Sequence, residues 1–474
     1  MTRLLRVLAT GLFFLACNTE GSVNIFVPHH TPLDASDPIP KDFQSLSIEL
    51  AHWPDFAGNQ SSPNDFTSNL LHNLEEYTGH APVLRIGGGT QDKTTFDPRQ
   101  KEAIQLLYEK PGSDQPSAVI GPACFESFQT LSPKTKYIHG FNYNYNKSDA
   151  LSRLDRVARQ VFKSIGSNLL YAELGNEADL APGRTPRSTL PLTNLWKIGQ
   201  QKHRSFHEHM TSYMNSHSLQ RLGSNSRSLQ FLLMNHSSIV HSVAPHLRLR
   251  ANLSDISAPY TLGECNSISG QGVSDVTDGL GAALWTADFA LWMASQNIKF
   301  VSFHQGYKYR YGAWDPNTRD GLVPATRPPY YGMVLVAKAL GKEGNVSIRP
   351  LDLKEDLHSA YAVYANGALK RIVIINFEEV ASGATHRSDD RSYTFRLAKP
   401  LREATVERLE GPGSDASKNI TFGGTTFAYE VSRGKPVKVL SNKANDEVPI
   451  KQIKQGLLEI GVPASSAVPI SLSY

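Results

Sequence analysis

The feature that most constrains the fold is an alternation of short apolar runs with helical periodicity, which extends from about Phe43 to Leu340. Such alternation is typical of βα units around a parallel sheet. The candidate strands are Phe43–Leu50, Pro82–Gly87, Lys136–Asn142, Leu169–Gly175, Tyr260–Gly263 and Lys299–Gln305. A chain of 474 residues can hold a barrel of roughly 250 to 300 residues and a smaller module. We therefore predict an α/β fold, a (β/α)8 TIM barrel over residues 41–340.

The pattern changes after Gly341, where short apolar runs are separated by Gly, Pro, Asn and Asp. These runs are Ala360–Val363, Arg371–Phe377, Ser392–Leu397, Thr405–Leu409, Phe427–Val431 and Leu457–Ile460. They predict an antiparallel β-sandwich over residues 341–474. The segment 22–40 begins with the apolar run Val23–Val27, and we expect it to add a strand to that sandwich.

The first residues are typical of a secretory signal peptide. Arg3 and Arg6 precede an apolar core from Val7 to Ala16, and small residues follow. We assign residues 1–21 to this signal. Asn-x-Ser/Thr sequons begin at Asn59, Asn146, Asn235, Asn252, Asn345 and Asn419. Together these features predict a secreted, extracellular glycoprotein with N-linked glycans.

Composition argues against several other classes of protein. A formal net charge of +4 is mild for this length and argues against nucleic acid as a partner. No segment after the signal offers ~18 consecutive apolar residues, so we expect no membrane anchor. Without the signal, Cys124 and Cys265 remain, which are too few for a disulfide framework and not spaced for a metal.

Two candidate strands end in a glutamate. The run from Leu169 ends in Asn176-Glu177, and the run from Tyr260 ends in Glu264. Catalytic groups of parallel barrels lie at the carboxyl ends of strands. A pair of carboxylates there suits glycosidic bond cleavage, in which one protonates the leaving oxygen and the other attacks the sugar carbon. Other strand ends also carry polar residues, namely Glu49, Asp92, Asn142 and His304. The sequence therefore predicts a glycosidase that needs no metal and no organic cofactor.

Three stretches resemble the signatures of glycoside hydrolase family 79, which holds heparanases and β-glucuronidases. They are Leu84–Asp92 (LRIGGGTQD), Glu173–Glu177 (ELGNE) and Leu262–Ser267 (LGECNS). The likeness extends over about residues 43–340 and is strongest to the secreted fungal β-glucuronidases. It implies a retaining exo-β-glucuronidase that removes terminal β-linked glucuronic acid from glycans or small glucuronides by double displacement.

The resemblance also implies roles for single residues. Glu177 matches the acid/base and Glu264 the nucleophile, the same two glutamates that strand position selects. Asn176 is expected to bind the sugar 2-OH, and Glu49 and Asp92 the hydroxyls of the non-reducing sugar. For the uronate carboxylate we favour Tyr311 over Tyr307 and Tyr309, with amides of the loop 269–272 beside it.

Two neighbours of the glutamates are expected to have no chemical role. Glu173 lies deeper in the barrel than Glu177 and is predicted to be a buried hydrogen-bond or charge partner. Strand alternation points Cys265 away from Glu264, and no histidine is placed to activate it, so we expect an inert thiol.

The segment between the two glutamates is short for a full barrel. Thr193–Met214 suits a helix, but Ser216–Gln230 is polar and turn-like, and the apolar run Phe231–Met234 is short. We therefore expect a barrel that is incomplete around its fifth and sixth strands. Two alternatives to the exo-enzyme stay open: a non-catalytic carbohydrate-binding relic, owing to the contracted segment 205–257, and an endo-acting, heparanase-like hydrolase.

Overall fold

A computed structural model of the chain describes residues 23–108, 116–142, 148–176, 226–252, 259–384, 390–439, 450–454 and 456–474. The first strands are β1 (Val23–Val27), β2 (Gln44–Glu49), β3 (Gly58–Asn59), β4 (Ser62–Pro63), β5 (Leu84–Gly87), β6 (Thr94–Phe96), β7 (Ile104–Leu107), β8 (Ser117–Ile120), β9 (Tyr137–Phe141), β10 (Leu169–Leu174), β11 (Leu262–Cys265), β12 (Val301–Gln305), β13 (Trp314–Asp315) and β14 (Ala325–Thr326). The α-helices among them are α1 (Trp53–Ala57), α2 (Asp65–Thr78), α3 (Ala150–Ile165), α4 (Ser226–Leu232), α5 (His236–Asn252), α6 (Leu280–Ser295) and α7 (Pro328–Leu340). Short 3-10 helices are Leu50–His52, Gln91–Lys93, Pro122–Gln129 and Gly166–Asn168.

A six-stranded parallel sheet organises this part of the chain, with the order β10-β9-β5-β2-β12-β11. Each of the predicted barrel strands has a counterpart in it. The strand that carries Glu264 begins at Leu262 rather than Tyr260, because the Leu262 N–H is the group that bonds the Phe300 carbonyl at 3.0 Å. Apolar residues of the strands and of α2, α3, α6 and α7 share one core. Parallel strands that alternate with helices in this way are typical of a TIM barrel, and the described residues supply six such strands.

Local sequence signals fix the helices around this sheet. The Asn64 side chain caps α2 by accepting a hydrogen bond from the Thr67 N–H at 3.0 Å. Gly79 ends the same helix with a φ of 77°, a conformation that glycine adopts without strain. Helix α6 is buried on nearly every side, as expected for a helix that is apolar all round.

The remaining strands form a C-terminal β domain. They are β15 (Val346–Leu351), β16 (His358–Ala365), β17 (Ala368–Asn376), β18 (Arg391–Leu397), β19 (Glu403–Val406), β20 (Leu409–Glu410), β21 (Thr421–Phe422), β22 (Thr425–Thr426), β23 (Val437–Lys438), β24 (Ile450–Lys454), β25 (Leu457–Val462) and β26 (Ser466–Ser473), with helix α8 (Tyr429–Ser432). One sheet has nine strands, and the other has the order β1-β18-β25-β24. Apolar residues of both sheets form a common core. The N-terminal strand β1 pairs with β18 in parallel, Val23 opposite Tyr393 and Val27 opposite Leu397.

A buried polar cluster joins α6 to the β domain. The Asp288 carboxylate, which is fully buried, accepts a hydrogen bond from the Tyr361 hydroxyl at 2.6 Å. Its second oxygen lies 2.7 Å from Nδ1 of His236, at the start of α5. Burial of the His236 ring lowers its pKa, but the Asp288 charge outweighs burial and raises that pKa.

Two expectations about local structure are wrong. Phe427–Val431 is not a strand, because the Phe427 N–H bonds the Tyr331 hydroxyl at 3.1 Å and the chain then turns into α8. The stretch Ser216–Gln230 is not turn-like throughout, because α4 begins at Ser226 and buries Leu229. The predicted signal 1–21 and the predicted helix Thr193–Met214 lie outside the described residues.

Within the ranges given above, the longest apolar helices fall short of what a bilayer crossing requires.

Candidate active site

Polar side chains from several strands meet at one edge of the parallel sheet. Glu49 ends β2, Glu264 lies in β11 and His304 lies in β12. Asp92 lies in the 3-10 helix Gln91–Lys93 after β5, and Asn176 lies two residues after the end of β10. Parallel strands bring their carboxyl ends to the same edge. The structure thus brings together these five residues, four of which the sequence selected as site residues.

Arg85 of β5 lies at the centre of this group, and its side chain is 1% exposed. Its Nε and Nη2 donate to the two oxygens of Glu173, both at 2.8 Å. Nη1 donates to Oε2 of Glu264 at 2.5 Å and to Oγ of Ser47 at 2.9 Å. Nη2 also donates to Oδ1 of Asn176 at 2.7 Å. Although burial lowers the pKa of Arg85, the two carboxylates outweigh it and raise that pKa, so Arg85 is a permanent cation here.

Strand alternation in β11 separates Glu264 from its neighbour. The Glu264 side chain is 16% exposed and faces Arg85, whereas Cys265 is buried and its Sγ donates to the Ser302 carbonyl at 3.4 Å. Burial, aided by the Glu264 charge, raises the pKa of the Cys265 thiol. A buried thiol with a raised pKa is a poor nucleophile, as expected for Cys265 from its position in the strand.

Glu49 is held as a carboxylate although it is buried. The Thr90 N–H donates to its Oε1 at 2.8 Å, and the Thr90 hydroxyl donates to the same oxygen. Burial raises the pKa of Glu49, but hydrogen bonds and charge from His304, together with the two bonds from Thr90, lower it to about 2. Gly88 allows this approach, because it has a φ of +87° and a Cβ there would lie 2.6 Å from Oε2 of Glu49.

His304 lies between the two carboxylates of the neighbouring strands. Its Nε2 is 3.5 Å from Oε2 of Glu49 and 3.8 Å from Oε1 of Glu264. Its Nδ1 is 3.0 Å from Oγ of Ser47. Burial lowers the pKa of His304, but Glu264 and Glu49 outweigh burial and raise it. The Nε2 of His304 is thus within hydrogen-bond reach of Glu49 only, while Glu264 lies beyond that reach as an ion-pair neighbour.

Asn176 and Asp92 are joined directly. The Asn176 N–H donates to Oδ2 of Asp92 at 3.1 Å, while the Asn176 side-chain oxygen accepts from Arg85. The main chain turns at Gly175, which has a φ of 78°. Asn176 is thereby fixed through both its main chain and its side chain.

The tyrosines that follow β12 have different surroundings. The Tyr309 hydroxyl bonds the Glu49 carboxylate, and burial followed by this charge raises the pKa of Tyr309 well above its usual value. The Tyr311 ring lies 6.4 Å from the His304 ring and 5.7 Å from the Tyr309 ring. The Tyr307 hydroxyl instead donates to the Arg319 carbonyl. Tyr309 and Tyr311 thus line the site, and Tyr307 holds a loop.

The loop after β11 packs against these tyrosines. The Arg310 N–H donates to the Gln271 carbonyl at 2.7 Å. Gly272 has a φ of +84°, and a Cβ there would lie 2.9 Å from the Tyr311 nitrogen. The loop 269–272 and the Tyr311 segment therefore form one wall of the site.

Sequence reasoning missed Arg85 and did not assign His304 to the two carboxylates. It considered Tyr309 but favoured Tyr311. A charged residue inside an apolar strand was the available signal for Arg85, since it has to face a partner in the sheet interior. Glu173 is the buried charge partner that its depth in the strand indicated. Glu177 lies outside the described residues.

Comparisons with known proteins agree with this architecture. Residues 360–468 match the family model described as the glycosyl hydrolase family 79 C-terminal beta domain. A β-glucuronidase of Aspergillus niger is 34% identical, with 96% of this chain and 95% of that protein covered. A β-glucuronidase of Neurospora crassa is 29% identical, with 88% of this chain and 89% of that protein covered. The alignment with the Aspergillus protein runs over 524 positions, more than the 474 residues of this chain, so the relative carries segments that this chain lacks.

Solved structures show the same fold at lower identity. A 4-O-α-L-rhamnosyl-β-D-glucuronidase from Fusarium oxysporum 12S has a TM-score of 0.71 and 21% identity, with 95% of this chain and 100% of that chain covered. A GH51 arabinofuranosidase from Xanthomonas axonopodis pv. citri has a TM-score of 0.57 and 13% identity, with 95% and 100% covered. The arrangement of parallel sheet and β domain is therefore one that known glycoside hydrolases share.

Proposed function

Because this chain belongs to glycoside hydrolase family 79, we propose that it is a secreted, retaining exo-β-glucuronidase. The observation that carries the proposal is that Arg85 bonds both Glu264 and Asn176 at the edge of the sheet where the strands end. A carboxylate held by a buried arginine at a strand end is suited to attack a sugar carbon. The β-glucuronidases of Aspergillus and Neurospora, similar over nearly the full chain, support the choice of glucuronide as the substrate.

The reaction proceeds in two displacements. Glu264 attacks C1 of the glucuronide, the bond from C1 to the leaving oxygen breaks, and Glu177 gives its proton to that oxygen. Glu177 then takes a proton from water, whose oxygen attacks C1 and releases Glu264. Asn176 binds the 2-OH, a contact that strengthens as positive charge develops on the ring. Retention requires the two carboxyl groups to stand roughly 5 to 5.5 Å apart.

The sugar lies between the strand ends and the wall that the loop 269–272 and the Tyr311 segment form. Glu49 and Asp92 accept hydrogen bonds from the hydroxyls remote from the scissile bond. Tyr311, with amides of the loop 269–272, binds the uronate carboxylate. Because Glu49, Asp92 and Glu264 already carry negative charge, a further anion needs hydrogen-bond donors in this site. The phenol and the amides supply them.

The signal at residues 1–21 exports the chain, and sequons such as Asn59, Asn345 and Asn419, which are exposed, carry glycans. Mass spectrometry of the protein from culture medium, before and after glycan removal, tests both points. Retention of the first 21 residues or unmodified sequons would contradict them.

The test of activity is release of 4-nitrophenol from its β-glucuronide, with the β-glucoside and β-galactoside alongside. Glucuronide-selective turnover is expected, with at least about a 1,000-fold loss in Glu264→Gln and Glu177→Gln, because each variant removes one of the two reacting groups. Glu102→Gln, an exposed carboxylate, is the matched control and keeps wild-type turnover. NMR of the first product formed distinguishes retention, seen as the β-anomer, from inversion.

A second candidate is a carbohydrate-binding protein that has lost turnover. The observation in its favour is that this chain is shorter than its aligned relative. A folded, secreted protein that binds glucuronic acid in calorimetry but hydrolyses none of the three nitrophenyl glycosides would establish this alternative in place of the enzyme.

A further inference from the structure

The Arg85 guanidinium has all of its hydrogen-bonding capacity in use. An arginine has five N–H donors in a fixed plane. Here Nε bonds Glu173, Nη1 bonds Ser47 and Glu264, and Nη2 bonds Glu173 and Asn176. With five donors on five acceptors, the group cannot rotate without breaking bonds.

Glu173 supplies the bidentate part of this arrangement. Its two oxygens take two of the five donors at 2.8 Å each, and its side chain is 2% exposed. Ser47, Glu264 and Asn176 each take one of the others. A bidentate pair defines both the position and the plane of a guanidinium, which single bonds do not.

We propose that Glu173 is a positioning residue that holds Arg85 so that one rigid plane fixes both Glu264 and Asn176. The inference rests on the proposed function, because it assigns a purpose to Glu173 only if Glu264 attacks and Asn176 binds the sugar. The pair of Glu173 and Arg85 differs from a purely structural ion pair, because Arg85 also bonds Glu264 and Asn176, two groups that act on the substrate.

Glu173 also balances the charge that Arg85 presents to Glu264. Among the residues that the structure describes, the charged and titratable groups facing Glu264 are Arg85 on β5, His304 on β12, Glu49 behind His304, and Tyr309. Loss of the Glu173 charge leaves Arg85 with an uncompensated positive charge beside Glu264. That charge favours the carboxylate form of Glu264, so the acidic limb of the kcat/KM profile moves to lower pH.

The experiment measures kcat, KM and the pH profile of kcat/KM for Glu173→Gln and Glu173→Asp with 4-nitrophenyl β-glucuronide. Glutamine keeps the shape but loses the charge and turns an amide towards Arg85. We expect about a 100-fold lower kcat, because small displacements of reacting groups cause rate losses of this order. We also expect the acidic limb to lie about one pH unit lower. KM changes less than threefold.

Aspartate keeps the charge but is too short to bond Arg85 twice. Glu173→Asp is therefore expected to lose about 10-fold in kcat with its acidic limb at the wild-type position. Glu343→Gln is the matched control, because it also removes a carboxylate paired with an arginine, Arg371, away from the strand ends. It keeps the wild-type kcat and profile.

A folded Glu173→Gln enzyme with a wild-type acidic limb and a kcat within threefold of wild type overturns the inference. If that variant does not fold, Glu173→Asp decides, and a kcat within threefold of wild type overturns it. Inactive wild-type protein contradicts the proposed function itself, a result that the nitrophenyl assay gives before any Glu173 variant is made.

Discussion

Arg85 and Glu264 are bonded through Nη1 and Oε2 at 2.5 Å, and the arginine side chain is 1% exposed. The arginine comes from β5 and the glutamate from β11, at the edge of the described sheet. The contact therefore depends on the register of the strands between them. It links the stability of the sheet to the geometry of the site.

Arg85→Lys is expected to lower the free energy of unfolding by about 3 kcal/mol, because one ammonium cannot replace five donors and leaves Glu173 partly unpaired. Urea denaturation followed by tryptophan fluorescence measures the change. The control is Arg153→Lys in α3, whose exposed pair with Asp149 contributes about 0.5 kcal/mol or less. Equal stabilities of the two variants would contradict the role of Arg85.

Glu49→Gln is expected to alter the acid stability of the protein. The pKa of Glu49 falls from 4.5 to about 2 on folding, so its carboxylate stabilises the fold above pH 4.5 and this contribution is lost as the pH falls towards 2. The Tm difference between wild type and variant should therefore shrink over that range. Calorimetry at a series of pH values measures it, with Glu102→Gln as control. A difference that does not vary with pH would argue against the prediction.

Gly140→Ala is expected to disturb the strand ends from within the sheet. A Cβ at this position would lie 2.0 Å from Oε1 of Gln91, which directly precedes Asp92. Relief of this overlap displaces the Gln91 segment and destabilises the protein by about 1 to 3 kcal/mol. Gly344→Ala is the control, since its nearest neighbour, Oδ1 of Asn366, is 3.3 Å away. Thermal unfolding and kcat/KM are measured together, and wild-type values for both would contradict this account.

Native protein from which the predicted signal, with Cys17, has been removed is expected to resist Ellman's reagent. Cys124 and Cys265 are both buried, and burial raises the pKa of Cys124 to about 12 and also raises that of Cys265. Both thiols should react in denaturant, which is the internal control. Cys265→Ala should keep its turnover within about threefold of wild type, because the thiol points away from Glu264. Rapid labelling of the native protein would show that this part of the core opens.

Tyr361→Phe is expected to weaken the attachment of the β domain. It removes the 2.6 Å hydrogen bond to the fully buried Asp288 carboxylate, which lowers the unfolding free energy by about 1 to 3 kcal/mol. Tyr364→Phe is a matched control, because in the described residues that hydroxyl is buried without a hydrogen-bond partner. Two variants of equal stability would show that Asp288 does not depend on Tyr361.

The strand ends could be predicted because periodicity and chemistry agree there. An apolar run that stops at a carboxylate, as at Glu264, identifies both a strand and the edge to which it points. Periodicity alone was less informative at Phe427–Val431, where apolar residues alternate as in a strand. There the Tyr331 hydroxyl takes the N–H that a neighbouring strand would have bonded.

The network around Arg85 was harder to predict, because it depends on strand register. Ser47, Arg85, Glu173 and Glu264 are far apart in the sequence and meet only when their strands align. A lone arginine in an apolar strand indicates a buried partner but does not identify it. The number of its partners became evident only from the three-dimensional arrangement.

The pairing of β1 with β18 has a consequence for biosynthesis. Val23–Val27 leaves the ribosome long before its partner Arg391–Leu397, which is made hundreds of residues later. Until then β1 has an unpaired edge, while the parallel sheet encoded between the two strands can already form. The β domain is thus the last unit to close, and a fragment that begins at residue 341 would lack one of its strands.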